Sequence, residues 1–263
     1  MAHISISLQS AALGYTVNTT VCMPEGFRGW TPGKKYKVLW LIPGAGGDGS
    51  DWARLTCIEQ YASEYGFYVI SPETQLGCIT DVAYGYEDRW FTFTTQELPA
   101  MMRWMFPLSD KPEDNYLLGF SMGGYGAFKW AMTCPEQFAA LGTFGGVHDM
   151  VDTVTRNHLH DGKLDLDFFL AFNTVEDLRE SPNDAMWLAK KNAAQGRFGP
   201  RLFFSVGDDD FTRPFNIRAR DALEEMGYQI TWDEAPGTHN YFYCESRLRT
   251  FLEWAGFTTG RRP

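Results

Sequence analysis

Residues 116–131 read YLLGFSMGGYGAFKWA. The opening Tyr116-Leu117-Leu118-Gly119-Phe120 is almost continuously apolar, as expected for a short strand buried on both faces of a mainly parallel sheet. Ser121 and the glycines around it break the run, and the chain resumes with helical character from Tyr125 onward. A strand that turns directly into a helix is the repeating unit of an α/β sheet, and the rest of the chain repeats it. Apolar runs recur at residues 37–42, 67–70, 141–144 and 202–206, with a weaker one at 229–232. Helix candidates fall among them at 52–65, 95–105, 122–133, 213–226 and 241–255. Residues 4–8 and 15–23 differ, alternating apolar with polar around a turn at Ala11-Ala12-Leu13-Gly14, which suits an antiparallel edge. The expected fold class is therefore α/β: a doubly wound, mostly parallel sheet with antiparallel N-terminal strands. Ligands bind such sheets beyond the carboxyl ends of the strands.

Residues 146–197 interrupt the alternation and offer no convincing core strand, so a small cap insertion is expected there within a single domain spanning 1–263. No Ser/Gly linker or internal repeat marks a second domain. Hydrophobic residues make up 44% of the chain, enough for a packed core, yet no run approaches the roughly 18 to 20 apolar residues of a membrane span. The start, MAHISISLQS, lacks the basic and apolar regions of a secretion signal, which points to a cytoplasmic protein. The formal net charge of −10 with scattered basic residues argues against nucleic acid as a partner. Five widely spaced cysteines without a C-x-x-C pair read as free, mostly buried thiols.

The turn at Gly119-Phe120-Ser121-Met122-Gly123 is a G-x-S-x-G pattern between strand and helix, the setting in which a serine hydroxyl is presented as a nucleophile. Glycines two before and two after remove side chains that would collide across so sharp a turn. A serine hydroxyl needs a base near neutral pH, and in this architecture the base follows the serine and an acid in chain order. His239, in the loop Ala235-Pro236-Gly237-Thr238-His239-Asn240 before the last helix, fits that place. His3 precedes the sheet, and His148 follows too early a strand; it could line the pocket, but a surface or capping role is the favoured reading. His158 and His160 fall in the insertion, and two histidines without a clear third ligand read as solvated loop residues. No metal site is expected.

Three aspartates, Asp208, Asp209 and Asp210, compete for the acid after the strand at 202–206. Asp210 is favoured, with Asp209 next; the others would cap a helix or face solvent. An oxyanion hole would take one N–H from Met122 and another from the loop Pro43-Gly44-Ala45-Gly46-Gly47, where Ala45 is the best donor because Pro43 has no N–H. Tyr84, Tyr86, Trp90 and Phe91 could border an aromatic substrate pocket, although such a cluster is more often plain packing.

With these residues in place, the chain resembles the esterase D-like branch of the α/β hydrolases, which includes tributyrin-type, feruloyl and acetylxylan esterases, S-formylglutathione hydrolases and mycolyltransferases. The resemblance runs nearly end to end, through the Ser10 to Gly14 turn, LIPGAGGDGSDW at 41–52, QELP at 96–99, GFSMGGYGAFKWA at 119–131, GDDDF at 207–211 and GTHNYFY at 237–243. It implies the α/β-hydrolase fold, a triad of Ser121, Asp210 and His239, and a hole formed by Ala45 and Met122. It further implies hydrolysis of small-molecule esters with short acyl chains, no cofactor, and a homo-oligomer. A feruloyl or acetylxylan esterase, or an acyltransferase with the same triad, is the alternative. Two departures bear on specificity: Pro43 stands where many relatives carry the His of an H-G pair, and Cys244 where a Trp often follows the catalytic histidine.

Overall fold

The computed structural model describes residues 2–24, 33–82 and 88–258. The chain opens with the antiparallel pair β1 (Ala2–Gln9) and β2 (Thr16–Met23), in register with His3 opposite Cys22 and Leu8 opposite Val17. Glu97 ties down the turn between them. Its carboxylate accepts the Ser10 hydroxyl at 2.6 Å and the Ala11 and Ala12 N–H groups at 2.7 and 3.1 Å.

The central β–α units follow as β3 (Val38–Ile42), α1 (Asp51–Leu55), α2 (Ile58–Tyr65) and β4 (Tyr68–Pro72). Two helices cover what reads in sequence as one at 52–65. Thr56 is extended, and its hydroxyl bonds back to the Trp52 carbonyl at 2.5 Å while accepting the Ile58 N–H at 3.2 Å, so a local side-chain bond competes with the helix. The next helix begins earlier than the expected 95: α3 (Trp90–Thr92) passes through a π turn (Phe93–Glu97) into α4 (Leu98–Met105). Pro99 explains the π turn, since it cannot donate to the carbonyl of residue 95 and its ring would press on that group.

The chain continues with β5 (Asn115–Phe120), α5 (Met122–Thr133) and β6 (Ala140–Phe144). Between β6 and the next core strand lie α6 (Met150–Asn157), the small hairpin β7 (Leu159–His160) and β8 (Lys163–Leu164), α7 (Leu166–Phe172), α8 (Val175–Leu178) and α9 (Ala185–Ala194). The chain then returns through β9 (Arg201–Gly207), α10 (Arg213–Glu225), β10 (Ile230–Ala235) and α11 (Tyr241–Ala255).

Among the described residues, eight strands form one sheet in the order β1-β2-β4-β3-β5-β6-β9-β10, parallel from β4 through β10. Alternate residues of the central strands enter opposite cores. Val38, Trp40 and Leu117 pack with Tyr125 and Phe128 of α5, whereas Leu39, Leu41 and Leu118 pack with Trp52, Leu248 and Phe251. Burial on both faces is why these strands read as unbroken apolar runs, and it makes the fold that of the α/β hydrolases.

Candidate active site

Ser121 sits between β5 and α5 with φ 55° and ψ −122°, a backbone conformation that a non-glycine residue occupies at a cost of about 1 to 3 kcal/mol. The surroundings hold it there. A Cβ on Gly119 would run into the backbone of Gly123 and Gly124, and one on Gly123 into the carbonyls of Ile42 and Pro43. The Ser121 N–H donates to the Phe144 carbonyl at 3.0 Å, which locks the turn to β6.

His239 lies in the loop between β10 and α11, brought 118 residues along the chain to Ser121. Its Nε2 is 2.8 Å from Ser121 Oγ, and its Nδ1 is 2.8 and 3.0 Å from the two carboxylate oxygens of Asp210. Phe120 and Phe211 stand against the imidazole with ring centroids 4.6 and 4.5 Å away, restricting its rotation.

Of the three aspartates, Asp210 faces the imidazole. Its side chain is 1% exposed, and Oδ1 also accepts the Thr212 N–H and hydroxyl, each at 2.7 Å. Burial opposes ionisation of this carboxyl but is outweighed by the bonds from His239 and Thr212, which hold it below the usual carboxylate range. An ionised Asp210 fixes the proton on Nδ1 and leaves Nε2 to accept from Ser121. Asp208 instead accepts the Gly237 N–H at 3.0 Å, and Asp209 is exposed.

Gly44 lies directly against this site: a Cβ built on it would be 3.5 Å from Ser121 Cβ and 3.3 Å from the Phe120 ring. The exposed Ala45 follows, and Met122 begins α5, where the first N–H groups have no partner inside the helix. The 43–47 loop is anchored by the Gly46 N–H donating to the Gln75 carbonyl at 3.0 Å.

The aromatic candidates are placed differently. Trp90 is 2% exposed and packs edge-on against Tyr15 and Phe93, so it is a core residue of the wall around Gly77. Phe91 is half-buried beneath the Lys129 ammonium, 4.4 Å from its ring centre. Tyr84 and Tyr86 lie outside the described residues.

His148 is not at the surface, where a capping role would put it. It is buried, stacked on Phe204 at 3.9 Å and bonded to the Thr143 hydroxyl at 2.8 Å. His158 and His160 pair with Asp165 beside the β7–β8 hairpin. Cys22, Cys78 and Cys244 are buried, Cys134 half-buried and Cys57 exposed, all free.

Some contributors were not singled out in the sequence. Gly145, with φ 53°, passes so close that a Cβ there would be 2.7 Å from Asp210 Oδ2 and 2.9 Å from His239 Nδ1; the Gly145-Gly146 pair after a core strand was the available signal. Leu76, 52% exposed beside Gly46, and Phe211, 70% exposed over His239, were visible only as apolar residues in loops.

The sheet and its carboxyl-edge cleft define an α/β hydrolase. Residues 10–229 match the esterase family described as "Putative esterase", and the chain belongs to that family. An acetyl esterase of Caldicellulosiruptor saccharolyticus is 22% identical over 97% of this chain and 98% of its own length. An S-formylglutathione hydrolase of Paracoccus denitrificans is 28% identical, covering 94% and 90%. Among solved structures, the fluorophosphonate-binding serine hydrolase FphF of Staphylococcus aureus superposes with a TM-score of 0.86 at 28% identity, over 97% of this chain and 98% of that one. The protein is thus a serine esterase, a carboxylic ester hydrolase acting on small-molecule esters. Among the described residues, no helix is long and apolar enough to cross a membrane.

Proposed function

We propose that the enzyme hydrolyses short-chain acyl esters, of acetyl or butyryl type, with Ser121 as nucleophile, His239 as general base and Asp210 as the group that orients it. The carrying observation is the continuous line of hydrogen bonds from Ser121 Oγ through His239 to a buried carboxylate, on a strained turn at the carboxyl edge of the sheet. His239 Nε2 takes the Ser121 proton as Oγ attacks the ester carbonyl carbon, and the Ala45 and Met122 N–H groups receive the oxyanion. The carbonyl re-forms, the C–O bond to the leaving group breaks, and His239 returns its proton to the departing alcohol. Water then gives a proton to His239 and attacks the acyl-enzyme, releasing the acid and restoring Ser121.

A short acyl group is favoured by the acetyl esterase relative, which is similar across nearly the full length of both chains. Leu76, exposed beside Gly46 of the 43–47 loop, and Phe211, exposed over the imidazole, would border the acyl group. The segment 146–197 would act as a cap on a single domain, since it leaves the sheet at Gly145, against the His239–Asp210 pair. Free thiols fit a cytoplasmic enzyme, and Leu166, Phe169 and Leu170, exposed together on α7, would be covered in a homo-oligomer.

The test is a hydrolysis panel of p-nitrophenyl acetate, butyrate and octanoate, S-formylglutathione and methyl ferulate, on wild type and Ser121→Ala. Fast acetate and butyrate turnover that vanishes in the variant is expected. Dominant ferulate turnover would overturn the substrate reading, and equal activity in the variant would overturn the nucleophile. Adding alcohol acceptors tests for acyl transfer, which hydrolysis predicts to be a minor product.

A further inference from the structure

At the edge of the sheet away from the ester chemistry, three side chains of different donor type converge. His3 and Cys22 are directly opposed across the β1–β2 pair, so both project from the same face. Glu59, in the first turn of α2, reaches His3 with Oε1 2.5 Å from Nδ1. The imidazole nitrogen, the Cys22 sulfur and the Glu59 oxygen all lie within 4.8 Å of one another.

We infer that His3, Cys22 and Glu59 form a binding site for a zinc-like divalent cation, with water as the fourth ligand. The donor set of one thiolate, one imidazole and one carboxylate suits zinc or cobalt rather than calcium or magnesium, which take oxygen ligands. Tetrahedral zinc with these donors spaces its ligand atoms about 3.3 to 3.6 Å apart, so His3 and Glu59 need to separate by about 1 Å, with the Cys22 sulfur already within 4.8 Å of both. The site has an entry path, because the His3 and Glu59 side chains are 40% and 27% exposed while Cys22 lies behind them. On binding, Cys22 forms a sulfur–metal bond and loses its thiol proton to solvent. The cation would cross-link β1, β2 and α2.

The site stands apart from hydrolysis. Cys22 pairs with Val69 near the amino end of β4, whereas Ser121 lies beyond the carboxyl end of β5, and β4 and β3 separate β2 from β5.

The experiment titrates chelator-treated full-length protein with cobalt(II) chloride and follows absorbance. One equivalent is expected to raise a thiolate-to-cobalt charge-transfer band in the near ultraviolet with the visible bands of a four-coordinate ion, both removed by zinc chloride. Cys22→Ser should abolish the charge-transfer band, and His3→Ala should weaken cobalt binding by about tenfold or more. Both variants should keep wild-type hydrolysis of p-nitrophenyl acetate, which also reports that they fold. No charge-transfer band at one equivalent overturns the site, as does an equal band in Cys22→Ser, which would assign it to another cysteine. Should Cys22→Ser fail to fold, unchanged cobalt affinity in His3→Ala, altered at an exposed position, overturns it equally.

Discussion

Ser121 keeps its hydroxyl pointed at His239 because the turn around it has no room to relax: the Gly123–Gly124 backbone fills the side-chain space of Gly119, the Ile42 and Pro43 carbonyls fill that of Gly123, and the Phe144 carbonyl takes the serine N–H. His239 is similarly confined, by Phe120, Phe211 and the Asp210 carboxylate. The three consecutive aspartates give a direct test of this arrangement. Asp210→Asn is expected to lower kcat by about 10⁴, because an amide no longer enforces the tautomer that leaves Nε2 free for Ser121. Asp209→Asn, at an exposed position, should leave kcat within about a factor of three. Steady-state kinetics on p-nitrophenyl acetate measures both, and equal losses would sink the assignment. At this scale the sequence was legible where chemistry and backbone demand coincide, as at Ser121 with its glycines. It could not separate Asp209 from Asp210 by composition, since what distinguishes them is which way each faces after Gly207. Nor could it tell that Trp90 turns into the core, because an indole beside a candidate cleft has the same letters as one inside the fold.

Strands and helices were readable wherever burial on both faces produced continuous apolar runs, and blurred where a single side chain rewrote the local hydrogen bonding. Thr56 splits one expected helix by bonding to the Trp52 carbonyl, and Pro99 forces a π turn into another. Glu97, at the end of that π turn, is the link from this helix to the edge strands: its carboxylate serves three donors of the β1–β2 turn. Burial works against its charge, but those bonds prevail and hold its carboxyl below the ordinary range. Glu97→Ala should therefore destabilise the protein by about 2 kcal/mol, seen as a lower denaturant midpoint with unchanged kcat, since β4 and β3 separate the edge pair from β5 and Ser121. A variant as stable as wild type would show that the turn holds without the carboxylate. The turn after β6 gives the opposite pattern. Gly145→Ala puts a methyl in a left-handed conformation and against Asp210 and His239, so activity should fall by about 10² or more while stability drops by only about 1 to 2 kcal/mol.

Across the whole molecule, one sheet separates two apolar cores, and Ser121, Gly145, Asp210 and His239 gather where β5, β6, β9 and β10 end. Beneath them, the core that holds α5 also contains a histidine, which sequence position alone assigned to the surface because His148 follows β6 in a segment of mixed character. Its burial pushes its pKa down to about 3. In the unfolded chain a histidine titrates near about 6.5, so between those values the unfolded state binds a proton that the folded state refuses. Stability is therefore intact above about pH 6.5 and falls by about 1.4 kcal/mol per unit as the pH drops toward 3. His148→Phe places a flat apolar ring against Phe204 and Phe128 and removes that proton uptake. It also forfeits the Thr143 bond, which shifts stability at every pH and leaves the slope untouched. Urea unfolding at pH 7 and pH 5 should show wild type losing about 2 kcal/mol more than the variant over that interval. The Asp210 and Glu97 contributions, which fade only as pH falls through their lowered values, are common to both proteins and cancel in the difference. Parallel losses would mean that the core admits a charged imidazole at pH 5, and that the Thr143–His148–Phe204 stack opens to water before the fold gives way.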